Sequence, residues 1–126
     1  MGKVIVLDDE NFETEVLRSD LPMLVDLFAL WCPSCHQLKP ELDSIAEEEG
    51  DRLRVGTLNT DRFSLLTQEY FHFDLLPACI LFVGGKQVAR LDGYHPRHEI
   101  LWEIEPFLAR RTSDLQPPMT SLTSEY

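Results

Sequence analysis

Two cysteines separated by two residues stand where a strongly apolar segment meets a predicted helix. Residues 23–30 are apolar except for Asp26, and the pentapeptide Trp31-Cys32-Pro33-Ser34-Cys35 follows them directly. Cysteines at this spacing at the start of a helix can close a disulfide within one turn, with the first sulfur at the positive end of the helix dipole. The pentapeptide therefore predicts a redox site, although an isolated C-x-x-C also fits half of a zinc site.

Strand and helix patterns alternate along the chain, which is typical of an α/β sandwich. The predicted strands are 4–7, 22–30, 52–58, 78–83 and 87–91, and the predicted helices are 11–18, 33–49, 63–71 and one that Pro96 opens. The apolar stripe of this last helix consists of Ile100, Leu101, Ile104, Phe107 and Leu108. Because Pro106 lies inside the stripe, it should kink the helix or end it early.

The chain resembles the thioredoxin family at several separate places. These are the Val-Asp-Leu-Phe-Ala-x-Trp-Cys-x-x-Cys block at 25–35, Lys39-Pro40, Leu-Asn-Thr-Asp at 58–61, Leu-Pro-Ala at 76–78 and Gly84-Gly85. The resemblance covers 4–111 and implies the thioredoxin fold, an α/β architecture whose central mixed β-sheet of about five strands is flanked by about four helices. It also implies a reversible Cys32–Cys35 dithiol/disulfide that reduces protein disulfides. Electrons would come from a thioredoxin reductase-like partner, without a bound cofactor.

Cys32 is the expected attacking sulfur and Cys35 the resolving one. A free cysteine has a pKa of about 8.5, so the attacking thiol must be acidified. At the predicted N-cap, Cys32 would accept hydrogen bonds from the backbone N–H groups of Ser34 and Cys35, and Pro33 would take the first helical position. The family usually has Gly-Pro between these cysteines. Because Ser34 adds a backbone donor and a hydroxyl, we expect a more acidic Cys32 and a more oxidising couple than is usual.

Asp26 is the one ionisable residue of a strand that is predicted to be covered on both faces. Burial should raise its pKa, so that it could exchange a proton with Cys35, and the resemblance assigns this role to an acid at this position. The alternative is a buried acid that backbone donors merely satisfy. The family often has a lysine near this acid on the next strand, whereas the matching position here is Thr57, which removes a counter-charge.

Pro77 resembles the cis-proline that faces the cysteines in this fold. A cis bond would leave the backbone of Leu76 free to pair with an extended substrate, and an ordinary trans turn proline is the alternative. The residues expected to form an apolar substrate groove around Cys32 are Trp31, Pro33, Ser34, Leu75, Leu76, Gly93 and Tyr94. Trp31 could equally serve packing alone.

The other cysteine and the histidines are not predicted to form a metal or haem site. Residues 32–36 read C-x-x-C-H, the attachment motif of c-type haem, but the motif follows a buried strand and caps a helix. His36 should therefore lie on the exposed helix face. A zinc site would need a second pair of cysteines, and Cys79 stands alone. Cys79 is therefore expected to be a small core residue, with regulatory oxidation or dimerisation as the alternative.

Charge and composition limit the partners and the compartment. The net charge of -11 argues against nucleic acid and anionic membranes as partners. The start of the chain has too few apolar residues for a signal peptide, and three cysteines suit a reducing compartment, so we expect a cytoplasmic monomer.

The sequence predicts one thioredoxin-like domain at 1–111 and a disordered tail at 112–126, because Ser, Thr and Pro dominate the tail. A docking peptide is the alternative for the tail. Two other functions stay open for the domain. It could be a disulfide oxidant or isomerase, or a non-enzymatic binding module with the same fold.

Overall fold

A five-stranded mixed sheet forms the centre of the computed structural model, which describes residues 2–110. Its strands are β1 (Ile5–Val6), β2 (Met23–Phe28), β3 (Arg54–Asn59), β4 (Ala78–Val83) and β5 (Lys86–Asp92), in the spatial order β1-β3-β2-β4-β5. The helices are α1 (Pro33–Glu48), α2 (Ser64–Tyr70) and α3 (Arg97–Ile104), with a π-helical segment at Glu13–Leu17 and a 3-10 turn at Glu105–Phe107. This arrangement confirms the predicted fold class. The tail predicted at 112–126 lies outside the described residues.

β2 is the central strand, and its alternating side chains enter two different core layers. β2 is parallel to β3 and antiparallel to β4, so it has a hydrogen-bonded neighbour on each side. Leu24 packs in the layer that contains apolar residues of α1 and α3, while Val25 and Leu27 pack in the opposite layer with Phe12. Because strand side chains alternate, Asp26 projects to the same face as Leu24, the face that α1 covers.

α1 begins at the dithiol motif because Pro33, at the first helical position, has no N–H to lose and a φ angle already suited to the helix. Its apolar positions recur at helical spacing and are buried: Leu38, Leu42, Ile45 and Ala46. Beyond the helix, the buried Arg52 pairs with Glu49 at 2.8 Å and with Glu105 at 2.6 Å. This pairing joins the end of α1 to the last turn of the described chain and so fixes the helix that carries the cysteines.

Two predicted helices differ from the observed ones. The segment predicted at 11–18 forms a five-residue π-helix in which the Arg18 N–H donates to the Glu13 carbonyl at 2.9 Å. The last helix ends at Ile104, as expected from Pro106, and continues as a 3-10 turn. The prediction that Phe107 belongs to the buried stripe is wrong: this side chain is 41% exposed, because the 3-10 turn changes the residue spacing.

β1 is also shorter than predicted. It comprises two residues, which pair with Gly56 and Thr57 of β3. Among the described residues, no helix combines the length and the apolar character needed to cross a membrane.

Candidate active site

Cys32 caps the N-terminus of α1 with its own sulfur. Its backbone is extended, and its Sγ accepts the Cys35 N–H at 3.3 Å and lies 3.5 Å from the Ser34 Oγ. Burial acts to raise the pKa of Cys32, but hydrogen bonds from the Cys35 thiol, the Ser34 hydroxyl and the backbone N–H groups of both residues outweigh it, and the pKa is lowered. The pKa of Cys32 is therefore shifted in the expected direction. The Ser34 hydroxyl and the two backbone N–H groups are the donors that the sequence predicted, whereas the largest lowering influence, the Cys35 thiol, was not predicted.

Cys35 lies one turn into α1 and has the opposite acidity. Burial raises its pKa to about 12, and the hydrogen bond that it shares with Cys32 adds to the shift. The two sulfurs pack with Ala29 in one small cluster, against which Leu76 also packs. Because only Cys32 is acidified, Cys32 is the better nucleophile of the pair and Cys35 the poorer one.

Asp26 lies behind the cysteines, almost completely enclosed. It is 3% exposed and sits directly between Thr57 of β3 and Cys79 of β4. Burial raises its pKa to about 7. Its Oδ1 is a buried atom without a hydrogen-bond partner among the described residues, so backbone donors do not satisfy this oxygen. A carboxyl that is half ionised near neutral pH is suited to accepting or donating a proton.

Pro77 follows a cis peptide bond, as predicted. Its carbonyl accepts the Gly93 N–H at 2.7 Å, and this bond holds the loop before β4 against the loop after β5. Gly93 has a φ of +85°, and a Cβ at this position would lie 3.3 Å from the Leu75 Cδ2. Pro77, Leu75 and Gly93 are therefore brought together, next to the Leu76 that covers the two sulfurs.

Several residues of the predicted substrate groove are apolar and open to solvent. Trp31 is 69% exposed, Leu75 53% and Tyr94 40%, whereas Leu76 is half-buried. Pro33 is exposed and Ser34 half-buried at the first turn of α1. Exposed apolar side chains that form a contiguous patch are typical of a surface that binds a partner, which is the role expected of these residues.

One contact of these residues was not predicted. The Trp31 Nε1–H donates to the Asp61 Oδ2 at 2.8 Å, across 30 positions of the chain. Asp61 belongs to the Leu-Asn-Thr-Asp block at the end of β3, but a sequence pattern gives no pairing between residues so far apart. The contact orients an indole that is otherwise largely exposed.

His36 and Cys79 occupy the positions expected of them. The exposed His36 ring has its Nε2 2.8 Å from the Leu30 carbonyl oxygen. Cys79 is buried in the apolar layer that α1 covers, which confirms it as a core residue. Burial, together with the nearby Asp26 and Cys35, raises the pKa of Cys79 well above its usual range, so its thiol is protonated at neutral pH.

A helix-capping dithiol that packs against Leu76, the residue before a cis-proline, on a sheet of this topology defines a site for thiol–disulfide exchange. The family model for thioredoxin matches residues 3–106. The chain belongs to the thioredoxin family, and it is a thiol–disulfide oxidoreductase.

Individual relatives agree with this assignment. The thioredoxin of Alicyclobacillus acidocaldarius subsp. acidocaldarius is 36% identical over 76% of this chain and 90% of its own length. The chloroplastic M-type thioredoxin of Chlamydomonas reinhardtii is 35% identical over 81% of this chain and 72% of its own. A bifunctional thioredoxin reductase/thioredoxin of Mycobacterium leprae is 35% identical over 82% of this chain, which corresponds to 22% of that larger protein.

Proposed function

We propose that the chain reduces disulfides of protein substrates by two successive exchange steps. The Cys32 thiolate attacks one substrate sulfur, the substrate S–S bond breaks, and the other sulfur leaves with the electron pair and takes up a proton. Cys35 then loses its proton and attacks the Cys32 sulfur of the mixed disulfide, which releases the second substrate thiol. The substrate gains two electrons and two protons, and Cys32 and Cys35 become a disulfide. The opposite pKa shifts of the two cysteines carry this proposal.

Asp26 is the proposed acceptor of the Cys35 proton in the second step. Its pKa of about 7 suits an exchange at neutral pH, and its buried Oδ1 has no hydrogen-bond partner among residues 2–110. The charge of Asp26 is also one of the influences that raise the pKa of Cys35, which indicates that the two groups interact.

The proposed substrate is an extended segment that lies along Leu76 and Pro77 and places its disulfide over Cys32. The surface that would receive it is formed by Trp31, Pro33, Ser34, Leu75, Leu76, Gly93 and Tyr94. Backbone pairing to an extended segment gives affinity without demanding a particular sequence, so several proteins could serve as substrates. The net charge of -11 favours partners with a basic face.

A thioredoxin reductase-like protein is the proposed electron donor, which leaves the chain without a resident cofactor. The Mycobacterium leprae relative supports this partner, since its name joins the two activities in one protein. We further propose that the chain acts as a monomer in the cytoplasm.

Trapping the mixed disulfide tests the assigned roles. A Cys35→Ser variant should accumulate a covalent adduct with a disulfide substrate, because the second step is lost, and a Cys32→Ser variant should form none. Adducts of the Cys32→Ser variant through Cys35 would reverse the assignment. Failure of the unmodified protein to be reduced by any reductase would instead favour the binding-module alternative.

The Ser34 hydroxyl beside the Cys32 sulfur favours one other function, that of a disulfide oxidant or isomerase. Stabilising the thiolate stabilises the reduced protein and makes the couple more oxidising. Equilibration with a glutathione or dithiothreitol buffer separates the two functions. A potential near roughly -270 mV supports a reductant, and one above about -200 mV supports an oxidant or isomerase.

A further inference from the structure

A second opening gives access to Asp26 and Cys35 from behind the dithiol. It is a cleft of about 890 Å³ between the N-terminal segment, β2, β3 and α1, and both residues line it. None of the seven residues assigned to the substrate groove belongs to its lining. Charged groups in this cleft can therefore act on Asp26 and Cys35 while a substrate covers Cys32.

Asp26 has no compensating positive charge in the described conformation. Its raised pKa has burial as its cause, and the residue in register with it on β3 is the neutral Thr57. The titratable groups nearby are Cys35, His36, Lys39, Asp43 and Glu47 of α1, Lys3 of the N-terminal segment and Cys79 of β4. An ionised Asp26 in this setting would gain from any cation that can enter the cleft.

We propose that Lys39 is a positioning residue whose ammonium group enters this cleft and pairs with Asp26 when the carboxyl is ionised. Lys39 lies four residues after Cys35 and therefore one turn further along the same face of α1. It is exposed and forms no ion pair with a carboxylate within residues 2–110. Its flexible four-carbon stem allows the ammonium to change position at little cost.

The other basic side chains of the cleft are less suited to this role. Lys3 lies outside β1, three residues before Val6, the residue that pairs with Thr57. His36 has its Nε2 2.8 Å from the Leu30 carbonyl oxygen. Asp43, four residues after Lys39, is the acid that would compete with Asp26 for the ammonium group.

The titration of Asp26 tests the inference directly. We would follow the Asp26 carboxyl carbon by NMR in the full-length dithiol protein and in three variants: Lys39→Gln, Lys39→Arg and, as a matched cleft control, Lys3→Gln. Lys39→Gln should raise the pKa of Asp26 by about 0.5–1 pH unit, because an opposite charge is lost. Lys39→Arg should restore the original value, and Lys3→Gln should leave it nearly unchanged. No shift in Lys39→Gln, or an equal shift in Lys3→Gln, would overturn the proposal.

The kinetic consequence rests on the proton-transfer role proposed for Asp26 and is measured separately. Burial alone gives Asp26 a pKa of about 7, so this is the value expected once Lys39 is lost, and pairing would hold the pKa about 0.5–1 unit below it. Losing Lys39 should therefore lower the ionised fraction of Asp26 a little under twofold at pH 7 and about three- to fivefold at pH 6, and release of the second substrate thiol should slow equally. In an Asp26→Asn background, Lys39→Gln should have no further effect, and a persisting effect would show that Lys39 acts elsewhere. If Asp26→Asn alone leaves the rate and its pH profile unchanged, the role of Asp26 is refuted, whereas the titration still decides the pairing with Lys39.

Discussion

Removing the Ser34 hydroxyl should make Cys32 less acidic and the redox couple more reducing. The Ser34 Oγ lies 3.5 Å from the Cys32 Sγ, and it is one of the donors that lower the pKa of this cysteine. The Ser34→Ala variant keeps the backbone N–H, so it isolates the contribution of the hydroxyl. Position 34 is in the first turn of α1, where the replacement leaves the helical hydrogen bonds intact.

The size of the effect follows from the geometry. A hydrogen bond to a charged group contributes about 1.5–3 kcal/mol, and this long contact to a half-buried hydroxyl should give about 1 kcal/mol. That energy corresponds to a rise of about 0.7 in the pKa of Cys32. Since the lost energy had stabilised the reduced protein, the reduction potential should fall by up to about 20 mV.

Two measurements on the same protein check this expectation. The pKa of Cys32 is read from the pH dependence of alkylation, and the potential from equilibration with a dithiol buffer. Ser34→Thr retains a hydroxyl and should resemble the unmodified protein, and Ser44→Ala on the same helix controls for a general effect of serine loss. An unchanged Cys32 pKa in Ser34→Ala would refute the reasoning, because the hydroxyl would then contribute nothing to the thiolate.

Three further predictions concern stability and the groove. Asp26→Asn should raise the free energy of unfolding by about 3–4 kcal/mol at pH 8 and leave it unchanged at pH 3, measured by urea unfolding. The carboxyl pKa is raised from 3.8 to about 7 in the folded state, so ionisation destabilises that state as the pH rises through this window. An equal gain at both pH values would contradict this. Arg52→Met should lower the free energy of unfolding by about 3 kcal/mol in the same assay, since Glu49 stays buried without this partner. A Glu49→Gln, Arg52→Met double variant should recover part of that free energy. Asp61→Ala should change the Trp31 fluorescence and raise KM a few-fold with kcat unchanged, and an effect on kcat alone would exclude a binding role for this contact.

The fold and the dithiol could be predicted from sequence because their determinants are local. The periodic apolar residues of α1, the N-cap position of Cys32 and the glycines of the β4–β5 hairpin are read from neighbouring positions. The π-helical segment at Glu13–Leu17 could not be predicted in this way. Asp8 and Asn11 bond to one another just before it, and burial of Phe12 and Val16 fixes its geometry, so tertiary packing overrides local preference.

The site was only partly predictable for a similar reason. The resemblance relates Asp26 to Cys35 and Pro77 to the dithiol, and the sheet register then places Asp26 between Thr57 and Cys79. The bond from Trp31 to Asp61 and the cleft behind Cys35 depend on how the loops and α1 are arranged over the sheet. Such contacts join distant parts of the chain, and no pattern of adjacent residues encodes them.

The high pKa of Cys35 explains why Cys32 reacts first and Cys35 second. In the dithiol form its pKa of about 12 lies far above that of Asp26, about 7, so proton transfer between them is strongly unfavourable and Cys35 stays inactive. Two of the influences that raise the pKa of Cys35 come from Cys32, namely its hydrogen bond and its charge. Both disappear when the Cys32 sulfur enters a mixed disulfide, because that sulfur is then neutral. The first step therefore lowers the barrier to the second, and Cys35 becomes a competent nucleophile when a substrate is attached.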